Sequence, residues 1–477
     1  MSRAWLHLTA PVLAAGMLAG LPSCSGKVEA ASVPTVADPR LQAVLSYVAG
    51  QMKSCSIPGG AIAIVENGQF TESEGFGLED VDGAAVSATT RFQTAGLSKV
   101  VLGATALSLV ERGELDLSQP VTRYAPLTLA AGFDPSTITI QHLLTHTSGL
   151  PDTDTDDMSC GVGPGQLAAW FASQPAQPLW SPPGAVWDYS QRGYIAAGWA
   201  IEGATSGRFE DAVSQLVFVP AGMTTATYDA SVVEAGDHAL GHRLDSEGNT
   251  TQTYAPGQLD CEAFRAADGV YAGVDDFAQL AVTLYAGGGA MLQPASVKAL
   301  ETGQAVDQLY PGDQYTYGMY AHDGYRGQHI LRTSGSLHGF RSSFWMVPDA
   351  QFAVVVFFDG DSPRSGCSTE DTAAFAVTTF LGLQDVPAPD WSTPPSTWAP
   401  YAGTYVDPYQ LGTISVAFDG QSLTASTATA GPVQLQQQSA TAFNAVFPAG
   451  TETITFAPDA DGAPGWFVTR LGVGKRQ

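Results

Sequence analysis

Two segments rich in aromatic and aliphatic residues, Phe340–Val347 and Phe352–Phe358, flank the turn Pro348-Asp349-Ala350. Aromatic and β-branched runs of that length around turn residues read as two adjacent antiparallel strands, so the chain is committed to a sheet. A second hairpin lies near the other end. Ala61–Val65 is a short apolar strand, and Glu66-Asn67-Gly68 turns it into Gln69–Gly77. Helical spacing appears between and around these runs. Leu41, Val44, Leu45, Tyr47, Val48 and Met52 form one face over residues 38–54. Lys99–Arg112 is rich in Val, Leu and Ala and stops at Gly113. Ile138–Leu144 reads as the start of a further helix, and Tyr194–Ser206 as another. Residues 151–166 read as a polar loop, with Asp152, Asp154, Asp156 and Asp157 as solvated surface. Residues 386–400, rich in Pro, Asp, Ser and Trp, read as a linker. From Tyr401 to Val468 short strands alternate with Gly turns, which predicts a separate small β module over 401–477.

The first 24 residues read as an export signal. Arg3 is the only charge in the first 26 residues, and the run Ala4–Leu21 that follows is too short, and too interrupted by Pro11, to span a membrane. Leu21-Pro22-Ser23-Cys24-Ser25 resembles a bacterial lipoprotein cleavage box, which implies a lipid anchor at Cys24 as the only membrane attachment. Residues 25–37 are a small, polar tether. The expected location is the periplasm or cell envelope, with an outer-membrane lipoprotein as the specific form. Cys55, Cys160, Cys261 and Cys367 remain. Their spacings are not those of a zinc site, and an even number in an exported chain fits two disulfides in any of three pairings. The net charge of −26 argues against a nucleic-acid partner, while 44% apolar and 14% charged residues supply a large core.

Several strings, taken in order over residues 38–385, resemble the serine β-lactamase-related family of class C β-lactamases, DD-peptidases, D-aminopeptidases and carboxylesterases. Arg91-Phe92-Gln93-Thr94-Ala95 leads into a helix, and Glu111-Arg112-Gly113-Glu114-Leu115-Asp116-Leu117 follows it. Gln141-His142-Leu143-Leu144-Thr145-His146-Thr147-Ser148-Gly149-Leu150-Pro151 is the most specific string. Trp187-Asp188-Tyr189-Ser190, Pro220-Ala221-Gly222-Met223 and the stretch Ala266–Phe277 complete the series. The resemblance implies an α+β fold: an antiparallel sheet flanked by helices, with a mostly helical subdomain, followed here by a small all-β C-terminal domain. It implies acyl transfer with no cofactor and no metal. A Ser at a helix start attacks a carbonyl, a Lys three residues on takes its proton, and a Tyr assists. A Lys- or His-x-Gly strand borders the oxyanion site.

The resemblance maps the catalytic Lys to Lys99 and the Tyr to Tyr189. The nucleophile position is then Gly96, in the string Gly96-Leu97-Ser98-Lys99. Glycine carries no hydroxyl, and inside a helix it costs about 1 kcal/mol relative to Ala. Gln191 stands where the family has Asn, and Thr333 opens Thr333-Ser334-Gly335 where it has Lys or His. Ser98 sits about 200° around the axis from position 96, so it reads as a bystander, and Ser190 and Ser334 read as weaker substitutes still. His146 reads as structural and His338 as a surface-loop residue. Loss of a nucleophilic Ser costs about 10⁶-fold in kcat in another serine hydrolase. The expectation is therefore an exported, catalytically impaired family member whose cleft binds a peptide or ester ligand around Gly96, Ser98, Gln191, Thr333, Ser334 and Gly335. The alternatives are a hydrolase of small esters or amides using a substitute Ser or water, and a structural cell-envelope module.

Overall fold

The computed structural model describes residues 33–80, 83–153, 160–258, 260–307, 312–384, 393–447 and 450–477. The export signal with Cys24, most of the tether, Asp154, Asp156, Asp157 and residues 385–392 lie outside the described residues.

An eight-stranded antiparallel sheet organises the large domain. Its order is Gln69–Gly77, Gly59–Glu66, Phe352–Phe358, Phe340–Val347, Gln328–Leu337, Tyr320–Tyr325, Asp313–Tyr315 and Ala305–Val306. The two apolar runs pair as a hairpin, with Val347 opposite Phe352 and Arg341 opposite Phe358. Every residue of Phe352–Phe358 is buried, because both faces of the sheet are covered. Phe352, Val354, Val356 and Phe358 face one core with Leu45, Val48 and Val377, which come from helices Pro39–Cys55 and Thr369–Leu381. Ala353, Val355 and Phe357 face another core with Val101, Leu102 and Phe277. These belong to helices Ser98–Glu111 and Val274–Tyr285. An alternation of two burial environments explains a strand that is apolar at every position rather than every second one.

Local chemistry sets the helix starts that matter for the site. Ser190 caps helix Gln191–Thr205, its Oγ accepting from the Gly193 N–H at 3.0 Å. The helix thus begins three residues before the Tyr194 read from sequence, and it places Gln191 and Arg192 in its first turn. The segment read as Ile138–Leu144 contains a helix of five residues, Ile140–Leu144. Thr139 and His142 close a reciprocal cap around it.

The cysteines pair as Cys55–Cys367 and Cys160–Cys261. The first joins the end of the first helix to the loop before the last helix of the large domain. The second ties a surface loop to the residue capping helix Glu262–Asp268. Residues 395–401 form two short 3₁₀ turns. The C-terminal strands, from Gly403–Asp407 to Gly472–Arg476, close into an eight-stranded barrel, which leaves no free edges. Tyr405, Phe443, Phe456 and Phe467 fill its interior. Ala457, Trp466, Val468 and Val473 merge with the core of the large domain, so the barrel is docked through an apolar face. Among the described residues no helix is long and apolar enough to cross a membrane.

Candidate active site

Helix Ser98–Glu111 is preceded by a tight 3₁₀ turn, Ala95–Leu97. Gly96 lies in that turn and not in the helix, so the helix-interior penalty expected for it does not apply. Ala95 takes φ +47°, a left-handed conformation that costs a residue with a Cβ about 1–3 kcal/mol. The turn runs against strand Gln328–Leu337. A Cβ built on Gly96 would stand 2.5 Å from the Ser334 carbonyl oxygen, and one built on Gly335 would stand 2.8 Å from the Gly96 nitrogen. Turn and strand approach so closely that each needs a glycine, and the space for a nucleophilic side chain is taken by backbone.

Lys99 is 2% exposed. Its Nζ donates to the Ala267 carbonyl and to Asp268 Oδ1, both at 3.1 Å, and the Asp268 side chain is itself only 4% exposed. Gln191 Nε2 donates to the other Asp268 oxygen, and the Tyr189 hydroxyl donates to Gln191 Oε1 at 3.3 Å. The chain Tyr189–Gln191–Asp268–Lys99 is thus closed on itself. Burial pulls the Lys99 pKa down, but the adjacent Asp268 and Tyr189 more than offset it, and the pKa ends above that of an ordinary lysine. Burial also pushes the Tyr189 phenol up, against the lowering influence of Lys99. At neutral pH these shifts favour the ammonium of Lys99 and the neutral phenol of Tyr189.

Two of the nearby hydroxyls are occupied. Ser98 Oγ donates to the Ala95 carbonyl at 2.7 Å and accepts from the Val270 N–H at 3.0 Å. Ser190 Oγ donates to the Pro151 carbonyl at 3.3 Å while it caps its helix. Thr333 and Gly335 are buried on strand Gln328–Leu337, and Ser334 and Ser336 are exposed. The structure therefore brings Gly96, Lys99, Tyr189, Gln191, Ser334 and Gly335 together, and directs Ser98 into the backbone.

His146 is fully buried, its ring 4.5 Å from that of Tyr189 and 4.6 Å from that of Tyr315. Its Nδ1 accepts from the Ser190 N–H at 3.1 Å, and burial, with Lys99 and Arg470 nearby, holds its pKa well below the usual histidine value. It is a neutral ring that positions Tyr189. Two sequence expectations fail here. His338 is buried, not a surface-loop residue, and packs 5.2 Å from the Tyr254 ring, because the chain turns inward at its positive φ. Asp152 is not solvated surface. Its Oδ1 accepts from the Gln191 N–H at 2.8 Å, and it meets Arg470 at 3.8 Å.

Asp268 and Arg470 are the participants that motif reading misses. Asp268 lies in a stretch that matches the family only as a block, and its one signal is a lone carboxylate in the otherwise small and apolar run Ala266-Ala267-Asp268-Gly269. Arg470 comes from the barrel, and its guanidinium lies 4.5 Å from the centre of the Tyr189 ring. Among the described residues one trio of carboxylates, Glu202, Glu210 and Glu262, is close enough for a cation. Arg208 meets Glu210 and Glu262 at 2.9 Å, and Arg265 meets Glu210 at 3.2 Å, so two guanidiniums already supply the balancing charge.

A family model described as Beta-lactamase matches residues 44–378, most of the chain. The chain belongs to the β-lactamase family. Among relatives in this family, protein flp of Staphylococcus aureus is 27% identical over 45% of this chain. The match spans only 43% of flp's own length. The putative penicillin-binding protein PbpX of Bacillus subtilis is 27% identical over 62% of this chain and 68% of that protein. The structure of the octameric penicillin-binding protein homologue from Pyrococcus abyssi superposes with a TM-score of 0.64 at 20% identity, covering 91% of this chain and all of that one. Coverage of that extent carries the shared fold beyond the β-lactamase-family domain into the barrel.

Proposed function

We propose that this chain is an exported, non-hydrolytic member of the β-lactamase family whose former catalytic groove recognises a peptide or ester ligand without turning it over. The observation that carries the reading is the pairing of Lys99 with buried Asp268 beside a nucleophile position that is glycine and has no room for a side chain. A buried ammonium matched to its own carboxylate gains nothing by surrendering its proton. Two disulfides support an oxidising compartment, and the leader with Cys24 supports export and a lipid anchor. The exposed hydroxyl of Ser334 and the half-exposed Arg470 offer donors to a carboxylate-bearing ligand, in keeping with the penicillin-binding name carried by PbpX.

Intact-mass measurement after incubation with a fluorophosphonate and with benzylpenicillin tests the reading. The unmodified mass is expected in both, and an adduct on any serine overturns it. Turnover of a p-nitrophenyl ester that disappears in Lys99→Ala would instead establish the hydrolase alternative. A structural envelope module is favoured by one feature, the near-complete burial of Lys99. It differs in predicting no reversible binding of a short peptide with a free C-terminal carboxylate, where the recognition reading predicts binding weakened by Arg470→Ala.

A further inference from the structure

Arg192 follows Gln191 in the first turn of its helix, and consecutive helical residues diverge by about 100°. Gln191 reaches into the Lys99 site, whereas Arg192 turns toward Trp170, with its guanidinium 5.0 Å from the ring centre. The residue is 5% exposed. Its Nε is buried without a hydrogen-bond partner, and among the described residues the guanidinium meets no carboxylate within ion-pairing distance. Burial draws its pKa down to about 10, opposed only by the more distant Asp152.

Buried Arg265 and half-buried Arg332 are treated differently. Arg265 meets Asp260, Glu210 and Glu262, and Arg332 meets Asp313 and Glu370. A desolvated guanidinium without an anion is costly, so an unmatched one calls for a partner from outside. Arg192 borders a cleft of about 250 Å³ whose lining is mixed: Leu127, Leu129, Leu150, Phe171 and Pro175 supply apolar side chains, beside Thr128, Gln174, Gln177 and polar backbone. That volume equals about eight waters at ~30 Å³ each, enough for a ring or a short branched chain bearing one acid group. None of Lys99, Tyr189 and Asp268 borders it.

We propose that this cavity is a second ligand site, separate from the family's catalytic groove, and that it takes a small amphipathic monocarboxylate. The carboxylate pairs with the Arg192 guanidinium, whose fork suits two-point contact. The apolar body fills the space between the 127–129 and 174–177 segments. The inference stands apart from the non-hydrolytic reading, since it requires nothing of Gly96 or Lys99.

The test measures thermal unfolding and calorimetric titration of the full chain with benzoate, at constant ionic strength set with sodium chloride. Benzoate should raise the unfolding midpoint saturably, while benzamide, the same size without charge, and sulfate, charged without an apolar body, should not. Arg192→Met should weaken benzoate at least tenfold. Ala172→Trp, which keeps the guanidinium and plugs the cavity from a lining position exposed to solvent, should do the same and guards against a folding defect in the first variant. No benzoate response, an equal response to benzamide or sulfate, or undiminished binding in either folded variant overturns the proposal.

Discussion

Asp268→Asn removes the charge that matches Lys99 while keeping the size of the side chain. Both partners are almost wholly buried and 3.1 Å apart, and stripping one member from a buried ion pair costs about 3–5 kcal/mol. At roughly 2–4 °C per kcal/mol for a large domain, the unfolding midpoint should fall by roughly 6–20 °C. The pH dependence gives the sign. In the wild type the Lys99 pKa is raised, so its contribution is complete below the ordinary lysine pKa and is lost as pH rises through the higher folded value. In the variant burial, the largest influence on Lys99, is opposed only by Tyr189, and the folded pKa is expected to fall below the unfolded value of about 10.4. The deficit relative to wild type should therefore be largest near pH 7 and shrink as pH climbs toward 10. Replacing both partners, as Lys99→Met with Asp268→Leu, should recover most of the loss, because a buried pair exchanged for apolar groups is often neutral or stabilising. Urea unfolding of wild type, Lys99→Met, Asp268→Leu and the double variant at pH 7 closes the cycle, and Asp268→Asn is followed at pH 7 and 9.5. A cost for Asp268→Asn below about 1 kcal/mol, or one that does not shrink at pH 9.5, would refute the argument that this pair holds the ammonium in place.

Gly96→Ser should destabilise by about 1–3 kcal/mol through overpacking against the Ser334 carbonyl, and should yield no acyl adduct by intact mass. Labelling at position 96 would show that the strand yields and that Lys99 still works as a base. Reduction of the disulfides should lower stability by about 2–5 kcal/mol per bridge, read as a lower denaturation midpoint with reductant than without. Glu202 and Glu262, pushed up to about 7 chiefly by burial and next by Glu210, bind more protons folded than unfolded, so their contribution is present below about pH 4.5 and is lost as pH rises through 7. Glu202→Gln should flatten that part of the stability profile, and an unchanged slope between pH 4.5 and 7 would count against it.

The strands Phe340–Val347 and Phe352–Phe358 are legible in sequence because a hairpin is a local pattern of apolar runs and turn residues. The Lys99 helix is legible for a similar reason, its composition and its stop. Gly96, Lys99 and Tyr189 come from the resemblance, which orders motifs along the chain and says nothing of what packs against them. Asp268 is invisible at that level because its meaning arises only when helix Glu262–Asp268 crosses the start of helix Ser98–Glu111, a contact between segments more than 150 residues apart. Arg470 is hidden for the same reason, reaching Tyr189 from another domain. Asp152 and His338 show the converse error: a polar run and a Gly-flanked His look solvated locally, while the tertiary fold closes over them. The disulfide pairing, left open among three arrangements, likewise depends on which chain segments meet in space.

The contact between the Ser334 carbonyl and Gly96 limits what any side chain at position 96 can reach. A serine placed at 96 meets backbone before it meets substrate, and any variant carrying it starts with a stability deficit and a lysine already paired with Asp268. Acyl chemistry from a serine at that position would need the strand to back away and Asp268 to release Lys99.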